Sequence, residues 1–277
     1  MTSKRLTLTT LCAALSLAGC ATAADGPEAM PDLAVPSKLG LVRIGSSSVT
    51  SGVDTFEQSM AMALFFDPNQ ATSVCTRSQT SACSIYRCGA LVGLPSAGNI
   101  TIKGGSEEVV LQPSLDGFYP EYRNTSALVF QRGQTLATSA VGKAVPTWQT
   151  SLVMPSTVFV LQSPSPARID LTWVLRKKQD LALAWAPLAS GSSVRVELSQ
   201  DLGSSQGMLI ECSFDGSQGT GIVPSSVLSQ LQTTQGVNHA VGILIGPGTE
   251  TKLSPLGWDV SVISIGVGRT GVATISE

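Results

Sequence analysis

The chain has 277 residues, with 17 Lys and Arg against 19 Asp and Glu and a single histidine. A formal net charge of −2 and no basic cluster longer than Arg176-Lys177-Lys178 exclude the electrostatic footprint of a nucleic-acid binder, and one histidine excludes a zinc site of several imidazoles. With 13% charged and 43% hydrophobic residues and 27 glycines, the composition suits an all-β fold rather than amphipathic helices.

Residues 1–19 read as a secretory signal peptide. Lys4 and Arg5 precede an apolar segment from Leu11 to Leu17, far short of the roughly 20 residues that cross a bilayer as a helix. Small residues then lead to Cys20. Leu17-Ala18-Gly19-Cys20 resembles the lipobox of bacterial lipoproteins, which implies a diacylglycerol on the Cys20 sulfur and cleavage just before it. Each buried acyl methylene adds roughly 0.8 kcal/mol of membrane affinity, so several chains on one cysteine hold a protein firmly. The expected membrane partner is therefore reached through an N-terminal lipid. Ala21, where an aspartate would retain the protein at the inner membrane of a Gram-negative cell, implies the outer membrane by the same resemblance. An ordinary signal cut near Ala21-Thr22-Ala23 is the competing reading and releases a soluble protein. Losing Lys4 and Arg5 with the signal leaves 15 basic against 19 acidic side chains.

Residues 20–38 form the expected lipid-anchored tether, because Asp25 to Ser37 carries three prolines and few large apolar groups. An N-terminal β domain is expected over 39–145. Met60, Met62, Leu64 and Phe66 alternate, as do Ile100 and Ile102 before Gly104-Gly105, which marks strands with one buried face. A second domain is expected over 146–277, where seven apolar runs, from STVFVLQ and DLALAWAP to HAVGILIG and WDVSVISIG, are divided by turn residues such as Asp215-Gly216 and Gly246-Pro247-Gly248. Seven strands in so short a span suit an immunoglobulin-like sandwich. Only Pro224 to Gln232 reads as a short helix, with Val227, Leu228 and Leu231 on one face. The fold expected is thus all-β, two antiparallel β-sandwich units with one short helix. No disordered linker parts the halves, so they share an interface or strands of the first complete the second sandwich. The four tryptophans, Trp148, Trp173, Trp185 and Trp258, stand in or beside strand runs and read as core.

AGNITIKGG, DLALAWAP, LIECSFDGSQGTGIVPSSVLSQL and GWDVSVISI resemble landmarks of secreted and lipid-anchored β proteins of soil-dwelling gliding bacteria. The likeness spans most of residues 55–265. That family has no assigned reaction, so it implies a fold and no catalytic residues.

Among motifs that carry chemistry, Gly203-Ser204-Ser205-Gln206-Gly207 matches G-x-S-x-G, and Asp215 and His239 follow in the order of a hydrolase triad. A nucleophile elbow needs a strand before the serine and a helix after it. Here strand runs flank it on both sides, so the expected context is a hairpin loop. Gly266-Val267-Gly268-Arg269-Thr270-Gly271 matches a dinucleotide fingerprint, yet only six residues follow, too few for the helix and second strand that bind a pyrophosphate, and a terminal turn is expected. Asp67, Asp116, Asp201 and Asp215 sit at expected turns without the spacing of a calcium loop. No cofactor and no metal are expected.

Beyond Cys20, Cys75, Cys83, Cys88 and Cys212 allow two disulfides in three connectivities, and exported thiols read as disulfides rather than metal ligands. One pair is expected among the first three, with the remaining thiol meeting Cys212. The ligand candidates are Asp116, Phe118, Tyr119, Glu121, Tyr122 and Arg123, three rings among acids and a guanidinium in a chain otherwise poor in rings. The competing reading makes Phe118 and Tyr122 a plug at the end of the sandwich under a proline-containing loop. The expected function is a lipid-anchored surface protein of the cell envelope that binds a glycan or protein or serves a structural role, without catalysis. The alternative is an exported hydrolase with an acid pair or a serine nucleophile.

Overall fold

Period-two alternation recurs along the chain, as in the buried-exposed order of β8 (Thr135–Ala140), β12 (Leu181–Trp185) and β13 (Ser193–Gln200), and it builds strands with one face in a core. The computed structural model describes residues 38–277 except 52, 53, 68, 70–74, 81, 90–92, 116, 118, 121, 125–127, 165–171, 203–206 and 236–237. The expected signal peptide, Cys20 and nearly all of the tether lie outside the described residues. The other strands are β1 (Lys38–Ser51), β2 (Asp54–Phe66), β3 (Cys75–Gln79), β4 (Cys83–Cys88), β5 (Ile100–Lys103), β6 (Val109–Leu111), β7 (Tyr122–Asn124), β9 (Trp148–Val153), β10 (Leu161–Ser163), β11 (Thr172–Arg176), β14 (Gly207–Asp215), β15 (Thr220–Val223), β16 (Val241–Leu253) and β17 (Trp258–Ser276). The single α-helix among the described residues, α1 (Ser225–Leu228), lies within the expected stretch and buries Val227 and Leu228.

The fold is all-β and sandwich-like. One large sheet runs in the order β3-β4-β14-β13-β16-β17-β1-β2-β7, with β11 added on the far end of β17. It therefore crosses the expected boundary at 145–146: strands of the first half complete the sheet of the second. The join is a parallel pairing of β1 with β17, Lys38 opposite Trp258 through Gly45 opposite Ile265. On one flank the sheet β6-β5-β8-β9 covers it, enclosing Val42, Ile44, Ala63, Phe65, Ile100, Ile102 and Trp258. On the other flank β10-β12-β15 and α1 cover it, enclosing Trp173, Trp185, Val194, Leu198, Ile210 and Ile245. All four tryptophans are buried.

The opposite face of the large sheet curls upon itself. Leu64 and Phe66 of β2 pack with Cys88 of β4, although five strands lie between β2 and β4 in the sheet order. Leu41, Leu209, Leu244, Ile263 and Ile265 line the same concave side. β2 is consequently buried on both faces, Ala61, Ala63 and Phe65 against the covering sheet and Leu64 and Phe66 against the inner cluster, where alternation alone had given it one.

Two expected turns are strand instead. Gly246-Pro247-Gly248 is an irregularity inside β16, where the register with β17 shifts between Ile245 and Gly248. The 266–271 segment continues β17 to Ser276, paired with β16 and β11. Its glycines serve close packing: a Cβ on Gly268 would lie 2.3 Å from the Ile245 carbonyl oxygen.

Candidate functional site

The aromatic loop divides. Asp116, Phe118 and Glu121 lie outside the described residues, as does the side chain of Arg123, whose backbone pairs with Met60 in β7. Tyr119 is fully buried in the core beneath the β6-β5-β8-β9 sheet, its ring against Phe65 at 5.8 Å. Its hydroxyl accepts from the Ala97 amide at 2.9 Å and donates to the Gly98 carbonyl at 2.6 Å. Tyr119 therefore ties the loop to residues 96–98 and offers no face to a ligand. Tyr122 is half-buried, packs on Phe130 and donates to Glu107 at 2.5 Å.

Of the thiols, Cys83 on β4 and Cys212 on β14 are directly opposite in the register and joined by a disulfide, a bond spanning 129 positions in sequence. Cys88 is also disulfide-bonded, and the β3–β4 register sets the Cys75 backbone opposite it.

His239 meets an aspartate, but not the one that sequence order put forward. Its Nδ1 lies 2.5 Å from Asp201 Oδ2, just past the end of β13, while Asp215 caps a 3-10 turn by accepting from the Ser217 amide and hydroxyl. Asp201 and His239 both hold positive φ, 49° and 57°, a conformation that L residues avoid unless their surroundings impose it. The constraint is visible beside them. Buried Gln200 donates to the carbonyls of Gln232 and His239 and accepts from the Gln232 amide, fixing the segment before β16 to the end of β13. Ser204 and Ser205 lie outside the described residues. The remaining turn aspartate described, Asp67, pairs with Lys38 at 2.9 Å and accepts from Asn69, and among the described residues no three metal-ligating side chains cluster.

Sequence reasoning passed over a charged cluster inside the curled sheet. Arg43 of β1, 4% exposed, reaches across to Glu197 of β13 and Glu211 of β14. Burial works against its charge, but the two carboxylates prevail and hold the guanidinium pKa above its ordinary value. Tyr86 of β4 is pushed up to about 12 by burial and by the charge of Glu211. Nearby, Arg195 bonds Glu250 at 2.7 Å and the Ser261 hydroxyl donates to the same carboxylate. Burial raises the Glu250 pKa, yet these bonds outweigh it and hold the group below the ordinary glutamate range. The readable signal was a charge at mid-strand in LVRIG, RVELS and LIECS. These groups are paired with each other within the sheet, which makes them a staple across its concave side.

An open groove of about 680 Å³ lies on the β10-β12-β15 sheet. It extends from Ser163 and Ala184 across Thr220 and Ile222 to Phe214 and Asp215 on β14. Small side chains on β12 make it: Ala182 and Ala184 face outward opposite Ile222 and Thr220. Asp215 is the one charged residue in its lining among the described residues. Its volume is in the range of small-ligand sites, and among the described residues no set of titratable groups converges in it. No signal in the sequence singled it out, since alanines and a glycine in strands read only as weak strand formers.

No family model and no curated protein matches the chain.

Proposed function

We propose that the chain is a lipid-anchored protein of the bacterial cell envelope, held at the outer membrane through Cys20, whose β body works as a binding module. The observation that carries the binding reading is the groove on the β10-β12-β15 sheet, open, almost uncharged and lined by hydroxyls, small side chains and the Phe214 ring. Such a surface supplies contact area and hydrogen bonds without a group placed to move a proton. The anchor rests on Leu17-Ala18-Gly19-Cys20 behind a cationic start. Among the described residues no helix is long and apolar enough to cross a membrane.

The rival, an exported hydrolase, is favoured by one observation, the Asp201–His239 pair, which has the orientation an acid gives a general base. Expression of the full chain with radiolabelled fatty acid, followed by an affinity screen of the detergent-solubilised product against envelope glycans and proteins, tests both readings. Label is expected on the wild type and not on Cys20→Ala, with binding unchanged in Ser205→Ala and His239→Ala. An unlabelled soluble product refutes the anchor, and a hydrolytic activity abolished by His239→Ala in a folded protein replaces the binding module with the enzyme.

A further inference from the structure

Among the described residues, the pairing of β15 leaves one of its edges with free backbone groups. The Trp185 amide donates to the Gly219 carbonyl, so residues 185 and 219 form a hydrogen-bonded pair of the antiparallel ladder. The same register makes Leu183–Gly221 and Leu181–Val223 hydrogen-bonded pairs, and leaves Ala182–Ile222 and Ala184–Thr220 as the pairs between them. On β12 the groups of Ala184 turn toward β10. On β15 the N–H and C=O groups of Thr220 and Ile222 turn away from β12, and among the described residues β15 is the last strand of its sheet. Native edges are commonly blunted by lysine, proline or a bulge. β15 reads Thr-Gly-Ile-Val and carries none of these, its four-residue length being the one guard it has, and Ile222 is 53% exposed.

The groove includes this edge, because its lining continues past Thr220 and Ile222 to Phe214 and Asp215 of β14. Beneath the strand stands the Phe214 ring, 2.8 Å from where a Cβ on Gly221 would be, so the apolar floor directly underlies the edge. Asp215 supplies the negative charge at one end.

Resting on the binding-module reading, the geometry points to an extended peptide as the ligand, docked by strand addition to β15, with an aliphatic side chain on Phe214 and a basic one at Asp215. Backbone bonds to Thr220 and Ile222 give such a mode its affinity, and alternate side chains give its selectivity. A second copy of the chain does not fit the edge as well: four residues of strand cannot by themselves bury the roughly 1,200 Å² that a stable protein interface needs.

The test uses the full chain in detergent and a short acetylated peptide of alternating valine and threonine with one central lysine. The Thr220 and Ile222 amides are expected to exchange more slowly with solvent when the peptide is bound. Methylating the peptide amides of one parity should abolish binding while methylating the other parity leaves it, because only one set faces β15. Ile222→Pro removes an N–H that β12 does not use, so the melting temperature should hold while affinity falls roughly tenfold or more, and Ile222→Thr should retain binding. Asp215→Asn should weaken the lysine peptide and not a norleucine analogue.

Binding without protection at Thr220 and Ile222, equal loss for both methylated parities, or no binding at millimolar peptide overturns strand addition. If the peptide fails while a glycan or folded protein from the screen binds and tolerates Ile222→Pro, the binding module stands and only the peptide mode falls. If nothing binds, both fall. Concentration-dependent protection of the same amides without peptide, together with a dimer mass, assigns the edge to a second copy and overturns the foreign strand.

Discussion

Arg43→Met tests whether the curled sheet is stapled by charge. The side chain is nearly inaccessible, and its two partners, Glu197 and Glu211, are only 15% and 13% exposed. Methionine keeps most of the buried stem and deletes the cation, leaving two carboxylates facing each other on the concave side. Breaking a buried pair by removing one partner costs about 3–5 kcal/mol. With a urea slope of about 3 kcal/mol/M for a chain of this size, the unfolding midpoint should drop by about 1 to 2 M. The triple variant Arg43→Met, Glu197→Gln, Glu211→Gln removes the orphaned charges and should recover most of the loss, because desolvation of the ions offsets much of their attraction in the wild type. Urea unfolding followed by tryptophan fluorescence measures all three proteins, with an unchanged slope as the sign that the same surface is exposed. A single variant within about 1 kcal/mol of wild type, or a triple variant no better than the single, refutes the staple.

Reducing the Cys83–Cys212 bond, or replacing both with Ser, should destabilise the fold by about 5 kcal/mol in the chain-entropy model for a loop spanning 129 positions, and a non-reducing peptide map should link 83 to 212 and 75 to 88. Tyr119→Phe should cost about 1–3 kcal/mol by leaving the Ala97 amide and Gly98 carbonyl without their partner, and Tyr119→Ala about 3–5 kcal/mol, both read by thermal unfolding. Because the folded-state pKa of Glu250 is depressed, its contribution to stability is present above the ordinary glutamate value and is lost as pH falls through the lower, folded value. Glu250→Gln should therefore flatten the acid limb of the stability profile, and an acid limb identical to wild type contradicts that assignment.

The sequence by itself determined the strand class and much of the core. Alternation at Ile100 and Ile102, the LALAW run ending in Trp185, and the apolar face of Val227 and Leu228 each gave the right element, because a period of two or of 3.6 is a local property that a few residues display. The even cysteine count led to a thiol from the first three meeting Cys212, and the register on β4 and β14 identifies it as Cys83. Pairing between distant strands is not local. Only the tertiary structure decided that β1 lies beside β17, which places Arg43 in reach of Glu211, 168 positions away. The glycines at 246–248 and 266–271 misled because the same residue that permits a turn also permits close contact between backbones, and which use prevails depends on what packs against it. His239 found Asp201 rather than Asp215 for the same reason: chain order sets no distance, whereas the buried amide of Gln200 fixes the two segments together. The edge that β15 presents among the described residues has no sequence signature at all, since an edge is defined by the neighbour a strand lacks, and that is a property of the assembled sheet.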